Sequence, residues 1–177
     1  GAEVKNLGVL NVDIDNSSGE RIGGLVGLSW DGIVTNCYST GTVTGSYYVG
    51  GLVGYNVGTV TCCYSTCVVD GLKWSIGGLV GYNGAYVQQS YSTGNVIGNI
   101  ETGGLVGENG GTVTECYSTS RLWGSSDVGG LVGYDYDWSQ ADRCFWDTQT
   151  SGQATSAGGI GKTTAQMKRA STFLDAG

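Results

Sequence analysis

The 177-residue chain has no proline and no histidine, one methionine and two phenylalanines, and only 13% of its residues are charged. Without histidine there can be no Ser-His-Asp or Cys-His nucleophile system and no H-E-x-x-H zinc site. Without proline every backbone N–H stays available to a hydrogen-bonded ladder, as interior strands require. Positive charge is scarce too: 8 Lys and Arg against 15 Asp and Glu leave a net charge of −7. Phosphate-backbone binding needs clustered Lys and Arg, so a nucleic-acid partner is not expected. No run of 18 apolar residues and no charged-then-apolar leader occurs, so no membrane insertion is expected. The six cysteines include no C-x-x-C pair, which argues against zinc.

Glycine, with 34 copies, is what the chain has in excess, and it is spaced regularly. The pentapeptide Gly-Gly-Leu-Val-Gly begins at Gly23, Gly50, Gly77, Gly103 and Gly129, in steps of 27, 27, 26 and 26 residues. A second signature follows each copy: Cys37-Tyr38-Ser39-Thr40, Cys63-Tyr64-Ser65-Thr66, Ser90-Tyr91-Ser92-Thr93, Cys116-Tyr117-Ser118-Thr119 and the divergent Cys144-Phe145-Trp146-Asp147. Self-similarity at such a period marks a solenoid and outranks local propensity. The expected fold is therefore all-β: a parallel β-solenoid, or β-helix, of about five coils of 26–27 residues with three short strands each, making a roughly triangular section; in the second coil they are 51–55, 59–65 and the Val-Val run 68–69. Residues 1–147 form the solenoid, with a half coil over 1–22 that suggests a piece of something longer. Residues 148–177 form a Gly-rich linker and a short capping helix over 163–174, with Gly177 at its end. The glycines are expected to supply positive-φ corners between strands.

Alternation along the strands assigns columns. Leu25, Leu52, Leu79, Leu105 and Leu131 form one inward apolar ladder, and Val34, Val60, Val87 and Val113 a second. Cys37, Cys63, Ser90, Cys116 and Cys144 fit a tight inward corner, while Asn36, Cys62, Gln89, Glu115 and Arg143 face solvent. Tyr38, Tyr64, Tyr91, Tyr117 and Phe145 would stack outward as an aromatic ladder. Cys37 with Cys63, and Cys116 with Cys144, stand in adjacent rungs and are candidate disulfides; buried free thiols fit equally, because Ser90 interrupts the column.

The Gly-Gly-Leu-Val-Gly copies with their following Tyr-Asn (Tyr55-Asn56, Tyr82-Asn83) resemble the GLUG repeats of bacterial and archaeal surface proteins. The tail, Cys144-Phe145-Trp146-Asp147-Thr148 through Gly158-Gly159-Ile160-Gly161-Lys162-Thr163-Thr164-Ala165-Gln166-Met167, is similar to the segment that often closes such arrays. That resemblance implies an extracellular or cell-surface setting and an adhesin-like stalk or binding role. Such repeats also occur beside the catalytic domain of some surface metallopeptidases.

The functional expectation is a non-enzymatic module without cofactor or metal. Its partner would be a surface glycan or protein, met on Tyr38, Tyr64, Tyr91 and Tyr117 with Trp74, Trp123 and Trp138 as further stacking surfaces. The first alternative is a fibre subunit whose partner is itself, stacked end to end through an open rung. The second is a polysaccharide-cleaving β-helix enzyme using paired carboxylates, Asp135 with Asp137 or Asp13 with Asp15, which solvated corners explain as well. Gly159-Ile160-Gly161-Lys162-Thr163-Thr164 imitates a phosphate loop, but Ser156 stands where that pattern needs glycine.

Overall fold

The computed structural model describes residues 1–174 and is a parallel β-solenoid of about five turns with short helices near its carboxy end. Three sheets run along it. In the second coil Tyr47–Gly50 lies on one sheet, Val53–Thr61 on the next, and Tyr64–Ser65 with Val68–Gly71 on the third. Val53 pairs with Val26 and Val80, Tyr64 with Tyr38 and Tyr91, and Gly50 with Gly23 and Gly77. The five Leu-Val pairs thus lie one above another in a shared hydrogen-bonded wall.

The strand partition differs from the sequence reading in two ways. The Val-Val run shares a sheet with the Tyr-Ser run rather than forming a face of its own. The third face is instead built by the residues leading into each Gly-Gly: Glu20–Gly23, Tyr47–Gly50, Trp74–Gly77, Ile100–Gly103 and Ser126–Gly129. These segments have no shared composition beyond their terminal glycine and one apolar position, Ile22, Val49, Ile76 or Val128, so no alternation advertised them.

The role of glycine is also corrected. Among the described residues positive φ occurs at three glycines, Gly41, Gly152 and Gly159. The repeating left-handed corners are held by Asn6, Asn36, Cys62, Gln89, Glu115 and Arg143 in one column and Arg21, Tyr48, Ser75, Glu101 and Asp127 in another, with φ between 48° and 62°. What these residues share is an exclusion: none is β-branched, and β-branched side chains tolerate this region worst. The glycines of the motif answer close approach instead. A Cβ at Gly50, Gly77, Gly103 or Gly129 would collide with the carbonyl oxygen three residues on. At the next position, a Cβ on Gly51, Gly78 or Gly104 would meet both a neighbouring coil's carbonyl and the Ser65, Ser92 or Ser118 side chain.

That Gly–Ser contact is a waist, and it splits the interior into two apolar columns. The larger contains Leu52, Leu79, Leu105 and Leu131 with the paired valines; Leu25, in the first coil, is only partly buried. The smaller contains Val43, Val49, Cys67, Val69, Ile76, Val96 and Leu122. In that second column Thr102 occupies the Ile76 and Val128 position, and its hydroxyl is buried without a hydrogen-bond partner. Replacing Thr102 by valine should stabilise the chain by roughly 1–3 kcal/mol, because an orphaned hydroxyl is removed at little change in shape. A rise in the urea midpoint at unchanged slope checks this.

The carboxy-terminal cover is not the single helix expected. Three short helices occur: α1 over Thr148–Ser151, α2 over Thr164–Met167 and α3 over Ala170–Leu174, while Gly177 lies outside the described residues. α3 sits against the outside of the last coils, its Phe173 edge-on to Tyr117 and Phe145. The end itself is closed by other residues. Gly130 N–H bonds Thr155 O, Ala157 N–H bonds Val132 O, and Ser156 Oγ accepts from Leu131 and Val132. Trp146 replaces the column serine and fills the space beside Gly130, and Ile160–Lys162 adds one further strand below Phe145–Asp147.

Candidate functional site

The tyrosine column is a continuous stack. Ring centroids of Tyr38, Tyr64, Tyr91 and Tyr117 are 4.8, 5.0 and 4.9 Å apart, with planes within 4° of parallel. The spacing is that of adjacent parallel strands, so the stack follows directly from register. Each ring is half-buried, and its faces are turned to its neighbours. The solution-facing part is therefore a row of ring edges and phenol groups. Burial, and then the adjoining phenol, push Tyr91 and Tyr117 above the usual tyrosine range, so these groups stay neutral donors. Phe145 pairs with Tyr117 in the ladder but does not continue the exposed edge. It is buried, with Lys162 Nζ 5.4 Å from its ring centroid and Phe173 against it.

The cysteine column contains free thiols, so neither candidate bridge is formed. The thiols of Cys37, Cys63, Cys116 and Cys144 each donate to the carbonyl two residues earlier, at 3.1–3.2 Å, and Ser90 Oγ does the same to Gln88 O at 2.6 Å. Three of these atoms also accept from the coil before: Cys37 N–H to Cys63 Sγ at 3.4 Å, Cys63 N–H to Ser90 Oγ at 3.1 Å, Cys116 N–H to Cys144 Sγ at 3.4 Å. A small group that both donates and accepts is what this corner requires, which explains why serine is admitted. Burial pushes the Cys63 thiol up to about 12, so it remains protonated. Cys63→Ser should cost about 1 kcal/mol or less and Cys63→Val about 2 kcal/mol, by loss of the donor and overfilling of the corner. Dithiothreitol should leave the wild-type melting temperature unchanged.

A second aromatic cluster, missed in the sequence, lies where the Gly-Gly turn joins two sheets. Tyr55 and Tyr82 stack at 4.4 Å, Tyr48 stands edge-on to both, and the Arg21 guanidinium lies 5.3 Å from the Tyr55 ring centroid. One rung further on, the tyrosine position is taken by Glu108, which accepts from Ser75 Oγ at 2.6 Å and Tyr136 OH at 2.7 Å. Ser75 Oγ is also 2.8 Å from Glu101 Oε2. One hydroxyl has a single proton and cannot donate to two carboxylates at once, so Glu101 completes the network only when protonated. Burial first, and then the charges of Glu108 and Asp127, raise its pKa, while Ser75 acts against the rise. A carboxyl raised on folding contributes stability that is full below its unfolded pKa, about 4.3, and is lost as pH rises through the folded value. Glu101→Gln supplies a permanent donor and should exceed wild type by roughly 1 kcal/mol at pH 7, with the gain vanishing near pH 4. Urea denaturation at both pH values checks the sign.

Of the four carboxylates considered for catalysis, Asp135 is taken up by the fold and the other three are exposed. Asp13 and Asp15 are exposed on the first strand of the tyrosine face. Asp135 accepts from Asn109 Nδ2 at 2.8 Å and from Ser139, and Asp137 is exposed beside it. Asp135 ends a buried ladder in which Asn56 Nδ2 donates to Asn83 Oδ1 at 2.9 Å and Asn83 Nδ2 to Asn109 Oδ1 at 2.8 Å. The phosphate-loop look-alike is partly strand, Ile160–Lys162, followed by a capping box in which Thr163 N–H bonds Gln166 Oε1 at 2.9 Å.

Two pockets flank the carboxy-terminal helices. One, of about 470 Å³, lies at the end of the tyrosine stack between Tyr117, Met167 and Phe173, with Asp147 at its wall. Burial pushes the Asp147 carboxyl up, but the Thr164 and Thr150 hydroxyls and the Thr150 and Gln149 N–H groups outweigh it and hold the group below the usual carboxylate range. Asp147 caps α1 and ties it to α2. The other pocket, of about 390 Å³, has Arg143, Lys162, Arg169 and Asp142 among its lining residues. Among the described residues no group of three or more acidic, cysteine or histidine side chains is arranged to hold a metal, and no helix is long and apolar enough to cross a membrane.

Residues 18–44 match a family model described as the GLUG motif, so the first full coil carries that repeat. The four later Gly-Gly-Leu-Val-Gly copies lie beneath it in register. No curated protein and no solved structure matches the chain.

Proposed function

We propose that this GLUG-repeat solenoid is a non-enzymatic extracellular module, adhesin-like, that holds a surface polymer or partner protein along its tyrosine face. The observation that carries the reading is the tyrosine edge: four phenols presented at one strand spacing along the rod. Stacking and hydrogen bonding to neighbouring coils fix the position of every ring, so a partner meets a surface that needs no ordering on contact. The resemblance to repeats of exported surface proteins supports the setting. Cleavage of a polysaccharide is the rival activity. End-to-end fibre growth is opposed by the carboxy-terminal segment, where 153–161 and Trp146 cover the last rung.

The test is retention on a panel of immobilised surface polysaccharides, with assay of released reducing ends and electron microscopy of the same sample. Retention without product, weakened at least fivefold by the pair Tyr64→Phe and Tyr91→Phe, supports the reading, since those variants keep the stack and remove only hydroxyls. Released sugar would establish an enzyme instead. Filaments would establish the fibre.

A further inference from the structure

Charge is distributed unevenly along the chain. Residues 1–142 contain four basic and thirteen acidic residues, whereas residues 143–174 contain four basic and one acidic. Three of the four late cations, Arg143, Lys162 and Arg169, converge on the 390 Å³ pocket. Arg143 is partly matched, with Nη2 3.1 Å from Glu115 and Nε 3.6 Å from Asp142, yet Nε is buried and makes no hydrogen bond. Among the described residues no carboxylate lies within ion-pair reach of Lys162 or Arg169. Asp142 also lines the pocket, so with Glu115 it offsets Arg143, and among the described residues Lys162 and Arg169 supply the charge left unmatched.

We propose that this pocket binds the charged end of an acidic saccharide, its carboxylate or sulfate held between Arg143, Lys162 and Arg169. Arg offers a planar fork of donors to an oxyanion and Lys a point charge, so the set suits a single localised anion. The volume falls within the range of small-molecule sites and exceeds that of a bare oxyanion. Its remaining wall is mixed: Ile160 and Phe145 are apolar, Ser171, Thr172 and Gln166 are polar, and the Asp142 carboxylate lies on the Arg143 side, which matches a ring carrying hydroxyls. The surrounding solenoid is acidic and repels a polyanion along its length, so the ligand engages by a terminal unit. This site is separate from the tyrosine edge and does not depend on the reading given to it.

Calorimetric titration of the full chain with a galacturonic acid trisaccharide, a sulfated disaccharide, a neutral trisaccharide and inorganic sulfate tests the proposal. One of the two acidic saccharides is expected to bind at least tenfold more tightly than the neutral sugar and than sulfate, and which one identifies the anionic group. Affinity should fall as salt rises. Arg169→Gln and Lys162→Gln should each weaken binding at least fivefold, and Lys73→Gln, on a distant coil, should leave it unchanged. Equal binding of the neutral sugar, no binding of either acidic one, sulfate binding as tightly as the saccharide, or indifference to both pocket substitutions would overturn it. Loss of self-association in sedimentation with Arg169→Gln, without saccharide binding, would assign the pocket to an acidic coil of a second copy.

Discussion

Asn83→Ala is expected to lose roughly 3–5 kcal/mol of stability, a large share of what a domain of this size possesses. Asn83 is fully buried and occupied on both sides: it accepts from Asn56 at 2.9 Å, donates to Asn109 at 2.8 Å, and also accepts from Ala85 N–H at 3.3 Å. Truncation removes all three and leaves Ala85 N–H and part of the Asn56 amide facing a void. Asn83→Asp should be equally damaging, because a carboxylate accepts from above but cannot donate to Asn109 Oδ1 below. The same argument explains why Asp135 is admitted at the last rung, where it only accepts; Asp135→Asn should therefore cost less than about 1 kcal/mol. Urea unfolding of the three variants distinguishes a directional ladder from simple volume filling. A loss under about 1 kcal/mol at Asn83 would show that the ladder contributes little.

The sequence exposed the architecture because stacked coils repeat their contacts at one period. Leu52, Leu79, Leu105 and Leu131 could be aligned by inspection, and Tyr64 over Tyr91 followed from the same count. What stayed hidden depends on contacts between columns rather than within one. Asn56, Asn83 and Asn109 look like corner residues because asparagine favours turns, and only the coordinates show their amides turned inward. The Glu101–Ser75–Glu108 group joins positions 33 residues apart, on two sheets, where the repeat changes residue type at each rung. Arg143, Lys162 and Arg169 come together through a tail that has left the repeat altogether. The misreading of the glycines has a physical source as well. Glycine marks a corner by its freedom and a contact by its missing Cβ, and sequence spacing is the same for both.

Those two roles separate experimentally at Gly77 and Gly152. Gly152 has φ 73° and nothing within 4 Å of the position a Cβ would take, so Gly152→Ala should cost only the left-handed preference, about 1 kcal/mol. Gly77 has no positive φ, yet a Cβ there would strike the Val80 carbonyl oxygen and stand 2.8 Å from Gly107 N, both backbone atoms of the stack. Neither can shift alone, since Val80 is paired with Val53 and Val106 and Gly107 lies in the strand that Val106 begins. Gly77→Ala should therefore cost more than about 3 kcal/mol, beyond the usual range for an added methyl in a core. Because each coil is stabilised mainly by its neighbours, the damage should appear as lost amide protection in the coils on both sides of residue 77, while the coil containing Leu131 retains more. Hydrogen exchange read coil by coil measures this. Equal, small losses at Gly77 and Gly152 would return the motif glycines to the role of flexible corners and remove close packing as the reason for the Gly-Gly repeat.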